Sequence, residues 1–127
     1  MKLIIGGFGQ GKLTYVLQKY NVENDKVWDG EIPENIEENG DIVVINHLHI
    51  WVKKRLADNG CPGEEIIDFV KRYPDCVLIS DEIGNGIVPI EEFEREYRER
   101  TGRILVELAK NAEEVERVIC GIGQKIK

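Results

Sequence analysis

Hydrophobic residues fall into two patterns along the chain: short continuous runs, and longer stretches with helical spacing. The continuous runs have the length of strands buried on both faces and lie at 2–5, 41–46, 76–80 and 115–120. Weaker strand signals lie at 26–28 and 125–126. The helically spaced stretches lie at about 12–20, 47–58, 64–73 and 90–112. Strands that alternate with helices predict an α/β sandwich with a mostly parallel sheet.

Composition narrows the classes of function. The 127 residues are 42% hydrophobic and 32% charged, with a net charge of −7 and no block of Lys or Arg. Neither a nucleic acid nor an anionic membrane is therefore expected as the main partner. The length predicts one domain over residues 1–127. The apolar runs are too short to span a bilayer, and the opening residues show no signal-peptide pattern.

The three cysteines show no metal-binding spacing, which favours a reducing compartment, and we expect the protein in the cytoplasm. Cys76 and Cys120 lie in apolar runs and are predicted to be buried thiols. Cys61 lies in a predicted loop before Pro62.

The strongest functional signal directly follows the first strand. Residues 6–12 read Gly-Gly-Phe-Gly-Gln-Gly-Lys and match the G-x-x-x-x-G-K pattern of phosphate-binding loops. Glycines let backbone amides turn toward phosphate oxygens, and the start of the next helix adds partial positive charge. A glycine-rich turn without a ligand is the alternative. The predicted nucleotide-binding residues are Gly6, Gly7, Phe8, Gly9, Gln10, Gly11, Lys12, Leu13 and Thr14.

The residue after Lys12 departs from the pattern. A Ser or Thr there normally supplies a hydroxyl that binds Mg²⁺, but this chain has Leu13. Thr14 is the next residue, rotated by about 100° around the helix. Magnesium would have to be held by nucleotide oxygens, waters and acidic side chains. The sequence thus supports nucleotide binding more strongly than metal-dependent turnover.

An acidic pair follows the buried run at 76–80. Because the carboxyl ends of parallel strands meet at one edge of a sheet, Asp81 and Glu82 are expected beside the phosphate loop. There Asp81 would hold Mg²⁺, and Glu82 would orient the attacking hydroxyl. The alternative is a strand that ends in solvated acids, in a chain with 24 acidic residues.

His47 and His49 are the only histidines. Residues two positions apart do not share a helix face, so a metal-binding pair is not expected. His47 follows a predicted strand and could approach a nucleotide, but a histidine at the start of a helix is the favoured interpretation.

Gly102 interrupts the long predicted helix. A glycine inside a helix costs about 1 kcal/mol relative to Ala. The sequence therefore predicts that another segment approaches the backbone closely at this point.

Several short strings carry a family resemblance. They are Glu82-Ile-Gly-Asn-Gly-Ile-Val-Pro89, Tyr97-Arg98-Glu99, Gly102-Arg103, Ala112-Glu113-Glu114-Val115 and the ending Gly121-Ile-Gly-Gln-Lys-Ile-Lys127. Together with the Gly6-Gly7 loop, they resemble the bifunctional adenosylcobinamide kinase/adenosylcobinamide-phosphate guanylyltransferase family of cobalamin biosynthesis.

The resemblance implies a three-layer P-loop NTPase fold of the RecA-like type, GTP or ATP as the nucleotide, and Mg²⁺. It also implies a cobinamide-like acceptor and a homo-oligomer, often a trimer. Enzymes of this family phosphorylate a cobinamide hydroxyl and then transfer GMP through a histidine. The corresponding segment, residues 29–40, contains no His, so loss of the guanylyl-transfer step is expected. Family positions with Glu and with Asn-Gln are Asn46 and Leu105-Val106 here.

Three interpretations remain open. The chain is a kinase in which Lys12 and Glu82 are catalytic, a non-catalytic sensor or subunit that binds a nucleotide or a cobamide, or an unrelated small ATPase.

Overall fold

A computed structural model of the chain describes residues 1–37, 40–83 and 90–127. Its strands are β1 (Lys2–Gly6), β2 (Val27–Asp29), β3 (Val44–Asn46), β4 (Val77–Asp81), β5 (Glu114–Ile119) and β6 (Ile122–Lys125). Its α-helices are α1 (Lys12–Tyr20), α2 (Leu48–Ala57), α3 (Pro62–Arg72) and α4 (Glu92–Asn111). Within the described ranges, no helix is both long enough and apolar enough to cross a bilayer.

The strands form one sheet in the order β2-β3-β4-β1-β5-β6. The first five strands in that order are parallel, and β6 runs antiparallel to β5. The predicted α/β fold with a mostly parallel sheet is therefore confirmed. Because β1 pairs with β4 in the register Gly6↔Asp81, the end of the first strand lies directly beside the acidic end of the fourth.

Helices cover both faces of the sheet, as the predicted three-layer arrangement requires. Alternation along β1 sends Leu3 to one face and Ile4 to the other. Ile4 joins the apolar cluster around Val16 of α1. Leu3 joins the larger cluster formed with α2, α3 and α4, in which Phe69 is the largest fully buried side chain.

Some sequence predictions need correction. The strand predicted at 41–46 is regular only over Val44–Asn46, although the Val43 carbonyl still accepts a hydrogen bond from the Val77 amide at 2.8 Å. The last strand is β6, which ends where the prediction placed its beginning.

Cys76 is buried as predicted, and burial raises the pKa of its thiol to about 11. Cys120 is exposed, because it lies in the turn between β5 and β6 rather than inside a strand.

Two glycines differ sharply in their surroundings. A Cβ atom added at Gly6 would lie 2.6 Å from the Val118 carbonyl oxygen, an atom of the neighbouring backbone that cannot rotate away. At Gly102, such a Cβ would have no atom within 4 Å from the described residues beyond its chain neighbours and the adjacent backbone of its own helix. The close approach predicted for Gly102 is thus not found in the part of the chain that the structure describes.

We expect Gly6→Ala to lower the free energy of unfolding by about 1–3 kcal/mol, because the new methyl group forces β1 away from β5. Urea denaturation measures this difference. Gly102→Ala is the matched control, and it should leave stability unchanged or raise it by up to about 1 kcal/mol, as expected for Ala inside a helix. Equal stabilities of Gly6→Ala and the wild type would contradict this account of the β1–β5 contact.

Candidate phosphate-binding site

The glycine-rich loop connects β1 to α1. Gly6 ends the strand, residues 7–11 form the loop, and Lys12, Leu13 and Thr14 open the helix. Gly9 and Gly11 have φ angles of 71° and 84°, a left-handed conformation that glycine adopts without strain. The nine predicted nucleotide-binding residues thus form one continuous turn at the carboxyl edge of the sheet.

The turn between β5 and β6 anchors this loop. The Cys120 amide donates a hydrogen bond to Gln10 Oε1 at 2.8 Å, and the Gly121 amide donates to the Gln10 carbonyl oxygen at 2.7 Å. Gln10 therefore holds the loop in place with both its side chain and its backbone. Phe8, by contrast, is 89% exposed.

Lys12 connects the loop to the acidic end of β4. Its side chain is only 8% exposed, and its Nζ donates a hydrogen bond to the Gly7 carbonyl oxygen at 2.7 Å. The same Nζ lies 2.7 Å from Asp81 Oδ1. The structure therefore brings together the lysine and the carboxylate that the sequence predicted for one site.

His49 is the second partner of Asp81. The Asp81 amide donates to His49 Nδ1 at 3.1 Å, and His49 Nε2 lies 3.4 Å from Asp81 Oδ2. Burial lowers the pKa of His49, which favours the neutral ring. Because Nδ1 accepts a hydrogen bond, the neutral ring carries its proton on Nε2, facing the carboxylate. The Tyr97 hydroxyl fixes this residue from α4 by donating to the His49 carbonyl oxygen at 2.9 Å.

Glu82 points toward a different cation. Arg117 Nη2 of β5 donates to Glu82 Oε2 at 2.9 Å, and the Glu82 amide donates to the Gly6 carbonyl oxygen at 2.9 Å. The Nε atom of Arg117 is buried and has no hydrogen-bond partner among the described residues. The two acids are thus separated, with Asp81 beside Lys12 and Glu82 beside Arg117.

A third group of polar side chains lies where β2 and β3 end. Asp29 and Asn46 are direct cross-strand partners, and Asn46 Nδ2 donates to Asp29 Oδ1 at 3.1 Å. His47 Nδ1 lies 2.5 Å from the same oxygen. The rings of His47 and His49 meet edge to face, with centroids 5.6 Å apart. His47 caps the start of α2, in agreement with the favoured interpretation of the sequence.

Sequence reasoning did not identify His49, Arg117 or Asp29 as site residues. His49 and Asp29 lie beside strands that end at the same edge as Asp81, a relation that depends on the order of strands in the sheet. For Arg117, the sequence offered one indication, which is that a positively charged residue lies inside the apolar run at 115–120. Residues 84–89 of the string Glu82–Pro89 lie outside the described residues.

The donor set does not form a metal site by itself. Leu13 packs against the α1 apolar cluster and offers no oxygen, and Thr14 is exposed to solvent. Asp81 already contacts Lys12 and His49. Among the residues described, no three His, Cys, Asp or Glu side chains are grouped to hold a metal ion.

The site can bind an anion. The start of α1 adds partial positive charge at the loop, and Lys12 supplies a full charge. A groove of about 550 Å³ lies elsewhere, beside β2, and includes Trp28 and Ile36 in its lining.

Comparison with known proteins places this geometry in a family. A family model described as cobinamide kinase / cobinamide phosphate guanyltransferase matches residues 18–126. The glycine loop precedes the matched range, so its interpretation depends on its own motif and geometry.

Two curated relatives share the name bifunctional adenosylcobalamin biosynthesis protein CobU. The protein from Escherichia coli strain K12 is 47% identical over 65 residues, which cover 50% of this chain and 36% of the relative. The protein from Salmonella typhimurium strain LT2 is 47% identical over 51 residues, which cover 40% of this chain and 28% of the relative. The matched part is thus little more than a third of the first relative and little more than a quarter of the second. The extent of the family match shows that this chain belongs to the cobinamide kinase / cobinamide phosphate guanyltransferase family, with its α/β P-loop fold.

Proposed function

We propose that the chain binds GTP or ATP through residues 6–14 and transfers the terminal phosphoryl group to a hydroxyl of a cobinamide-like acceptor. The observation that carries the proposal is the contact of Lys12 with Asp81 at 2.7 Å, at the mouth of a glycine loop between a strand and a helix. Phosphate loops of this kind need a lysine for the outer phosphates and an acid on a neighbouring strand. The family membership supplies the class of acceptor.

The proposed roles follow from the contacts. Lys12 and the loop amides neutralise the phosphates, and Asp81 contacts, through water, the Mg²⁺ that accompanies the nucleotide. Glu82, held by its ion pair with Arg117, orients the acceptor hydroxyl. The Arg117 guanidinium is therefore a second positive charge at this edge, available to oxygens of the transferred group.

We further propose that guanylyl transfer by the family's route is lost, because residues 29–40 contain no His. A cytoplasmic homo-oligomer, a trimer by the resemblance, is part of the same proposal.

A non-catalytic sensor is the second candidate, and two observations favour it. Lys12 is already engaged by Gly7 and Asp81, and Leu13 replaces the hydroxyl that normally binds Mg²⁺. Such a protein would bind a nucleotide or a cobamide and transfer nothing.

Saturating GTP or ATP should raise the melting temperature. At a concentration 100 times the dissociation constant, the stabilisation is about 2.7 kcal/mol. Lys12→Met should abolish the shift, because it keeps the length of the side chain but removes the charge. Differential scanning fluorimetry, with each variant compared to its own ligand-free sample, measures the effect.

Lys53→Met is the matched control, since Lys53 forms an ion pair with Glu94 away from the loop. Its shift should equal that of the wild type. If neither nucleotide shifts the melting temperature of the wild type, with or without Mg²⁺, the binding proposal fails.

Leu13→Ser should make nucleotide affinity depend more strongly on Mg²⁺, because it returns a hydroxyl ligand to the position after Lys12. Isothermal titration with and without Mg²⁺ measures the ratio of affinities. Leu17→Ser, one turn further along α1 and also half-buried, controls for the lost apolar contact. An unchanged ratio in Leu13→Ser would show that Leu13 does not limit the use of Mg²⁺.

The two candidate functions differ in one assay. Cobinamide, GTP or ATP, and Mg²⁺ should yield cobinamide phosphate and a nucleoside diphosphate, both measurable by mass spectrometry. Lys12→Met should lower the rate by about 10²-fold or more, as expected when a charge that stabilises the transition state is removed. Clear nucleotide binding without product would reject the kinase and favour the sensor.

A further inference from the structure

Five titratable side chains form a row along the carboxyl edge of the sheet. In order across the strands they are Asp29, His47, His49, Asp81 and Lys12. Asp81 and Lys12 belong to the proposed nucleotide site. Asp29 and His47 lie at the opposite end of the row, where the proposed function has given them no role.

The backbone of His47 is held in an unusual conformation. Its φ and ψ are 54° and 47°, the left-handed region that non-glycine residues rarely adopt. Elsewhere in the described residues, only Asn21, Asn59 and Cys120 combine a side chain with a positive φ. Such a residue costs about 1 kcal/mol or more and persists where surrounding contacts require it, often at functional sites.

The contacts of His47 fix the ring in one tautomer. Asp29 Oδ1 accepts a hydrogen bond from Asn46 Nδ2 at 3.1 Å and lies 2.5 Å from His47 Nδ1. Asn46 Nδ2 is also 3.3 Å from His47 Nδ1, but the shorter contact decides the tautomer, because an ionised carboxylate can only accept. The proton of the neutral ring is therefore on Nδ1, and Nε2 carries the free electron pair. Nε2 has no hydrogen-bond partner in the described part of the chain, and the side chain is 40% exposed.

The other candidate bases in the row are engaged. Asp81 contacts Lys12 and His49, and Glu82 is paired with Arg117. His49 has its Nδ1 occupied by the Asp81 amide. Only His47 combines a free ring nitrogen with a carboxylate on the opposite nitrogen, an arrangement that orients a histidine as a proton acceptor.

We propose that His47 is the general base that activates the acceptor hydroxyl, with Asp29 as its positioning residue. This inference rests on the proposed phosphoryl transfer. The hydroxyl oxygen attacks the terminal phosphorus and forms a new O–P bond, while its proton passes to His47 Nε2. The bond from that phosphorus to the bridging oxygen breaks, and the electron pair leaves with the nucleoside diphosphate. The exposed imidazolium then releases its proton to water.

The charges around His47 fit this role. Asp29 of β2 accepts a hydrogen bond from its Nδ1, while Asn46 of β3 holds that carboxylate in place. His49 of α2 faces the ring edge to face, and its lowered pKa favours the neutral form, so it adds no repelling charge. Lys54 of α2 is directed to the Gly30 carbonyl oxygen at 3.2 Å, next to Asp29.

His47→Asn tests the proposal, because Asn readily adopts a left-handed backbone and should fold normally. We expect kcat for cobinamide phosphorylation to fall by about 10²–10⁴-fold, the usual contribution of a general base. The nucleotide-induced shift in melting temperature should persist, and the acidic limb of the pH–rate profile should disappear. Added imidazole should restore part of the rate in His47→Gly, because the small base can occupy the vacated space.

Asp29→Asn should lower kcat less than His47→Asn does and leave KM for the nucleotide unchanged, because the ring loses only the carboxylate that orients its Nδ1. Asp58→Asn is the matched control, an exposed acid at the far end of α2, and should behave as the wild type. If the wild type forms no product, this inference falls together with the proposed function. If it forms product and His47→Asn retains kcat and its pH profile, the inference alone is overturned.

Discussion

The ion pair between Lys12 and Asp81 is the contact on which the site depends. It joins two segments almost seventy residues apart, and it forms because β1 and β4 are parallel neighbours in the register Gly6↔Asp81. Both side chains are largely buried, so removing one would leave an uncompensated charge in a region of low dielectric. The glycine loop is confined by the same contact, since the lysine amine also holds the Gly7 carbonyl oxygen. The resting site is thus closed around its own lysine, and an incoming phosphate must compete with a carboxylate for that charge.

This competition explains why additional positive charge matters here. A triphosphate brought beside Asp81 places several negative oxygens next to a carboxylate, and Lys12 alone cannot neutralise them all. In most phosphate loops, a magnesium ion bound to a loop hydroxyl supplies the balance, but Leu13 removes that ligand. Arg117 lies on the strand adjacent to β1 and reaches the acid that follows Asp81. The Arg117 side chain is 43% exposed, so its guanidinium can supply positive charge to a phosphate at this edge.

Local sequence patterns were sufficient to predict the main strands and helices and the proximity of Lys12 to Asp81. The strand, loop and helix around residues 2–20 follow from a run of apolar residues, a string of glycines and helical spacing. Asp81 was predicted to lie near Lys12 because strands that alternate with helices end at a common edge. His49 and Arg117 could not be predicted in the same way, because their roles depend on which strands are neighbours. The strand at 41–46 and the thiol of Cys120 were misjudged for a related reason: an apolar run does not reveal where pairing with the neighbouring strand stops.

Asn46 differs from the family at a position that contacts Asp29, the hydrogen-bond partner of His47. The family resemblance sets Asn46 against a Glu, and a Glu there would place a second carboxylate directly opposite Asp29. Like charges on opposing residues of adjacent strands repel each other. With Asn46 the side chain instead donates a hydrogen bond to Asp29, which also accepts one from His47 Nδ1. The amide, the acid and the histidine therefore depend on one another, since an acid at position 46 would repel the Asp29 carboxylate that keeps the His47 ring in one tautomer. A protein without catalytic activity would not need three matched side chains at the carboxyl edge of its sheet. The contacts among Asp29, Asn46 and His47 therefore favour the kinase over the non-catalytic sensor.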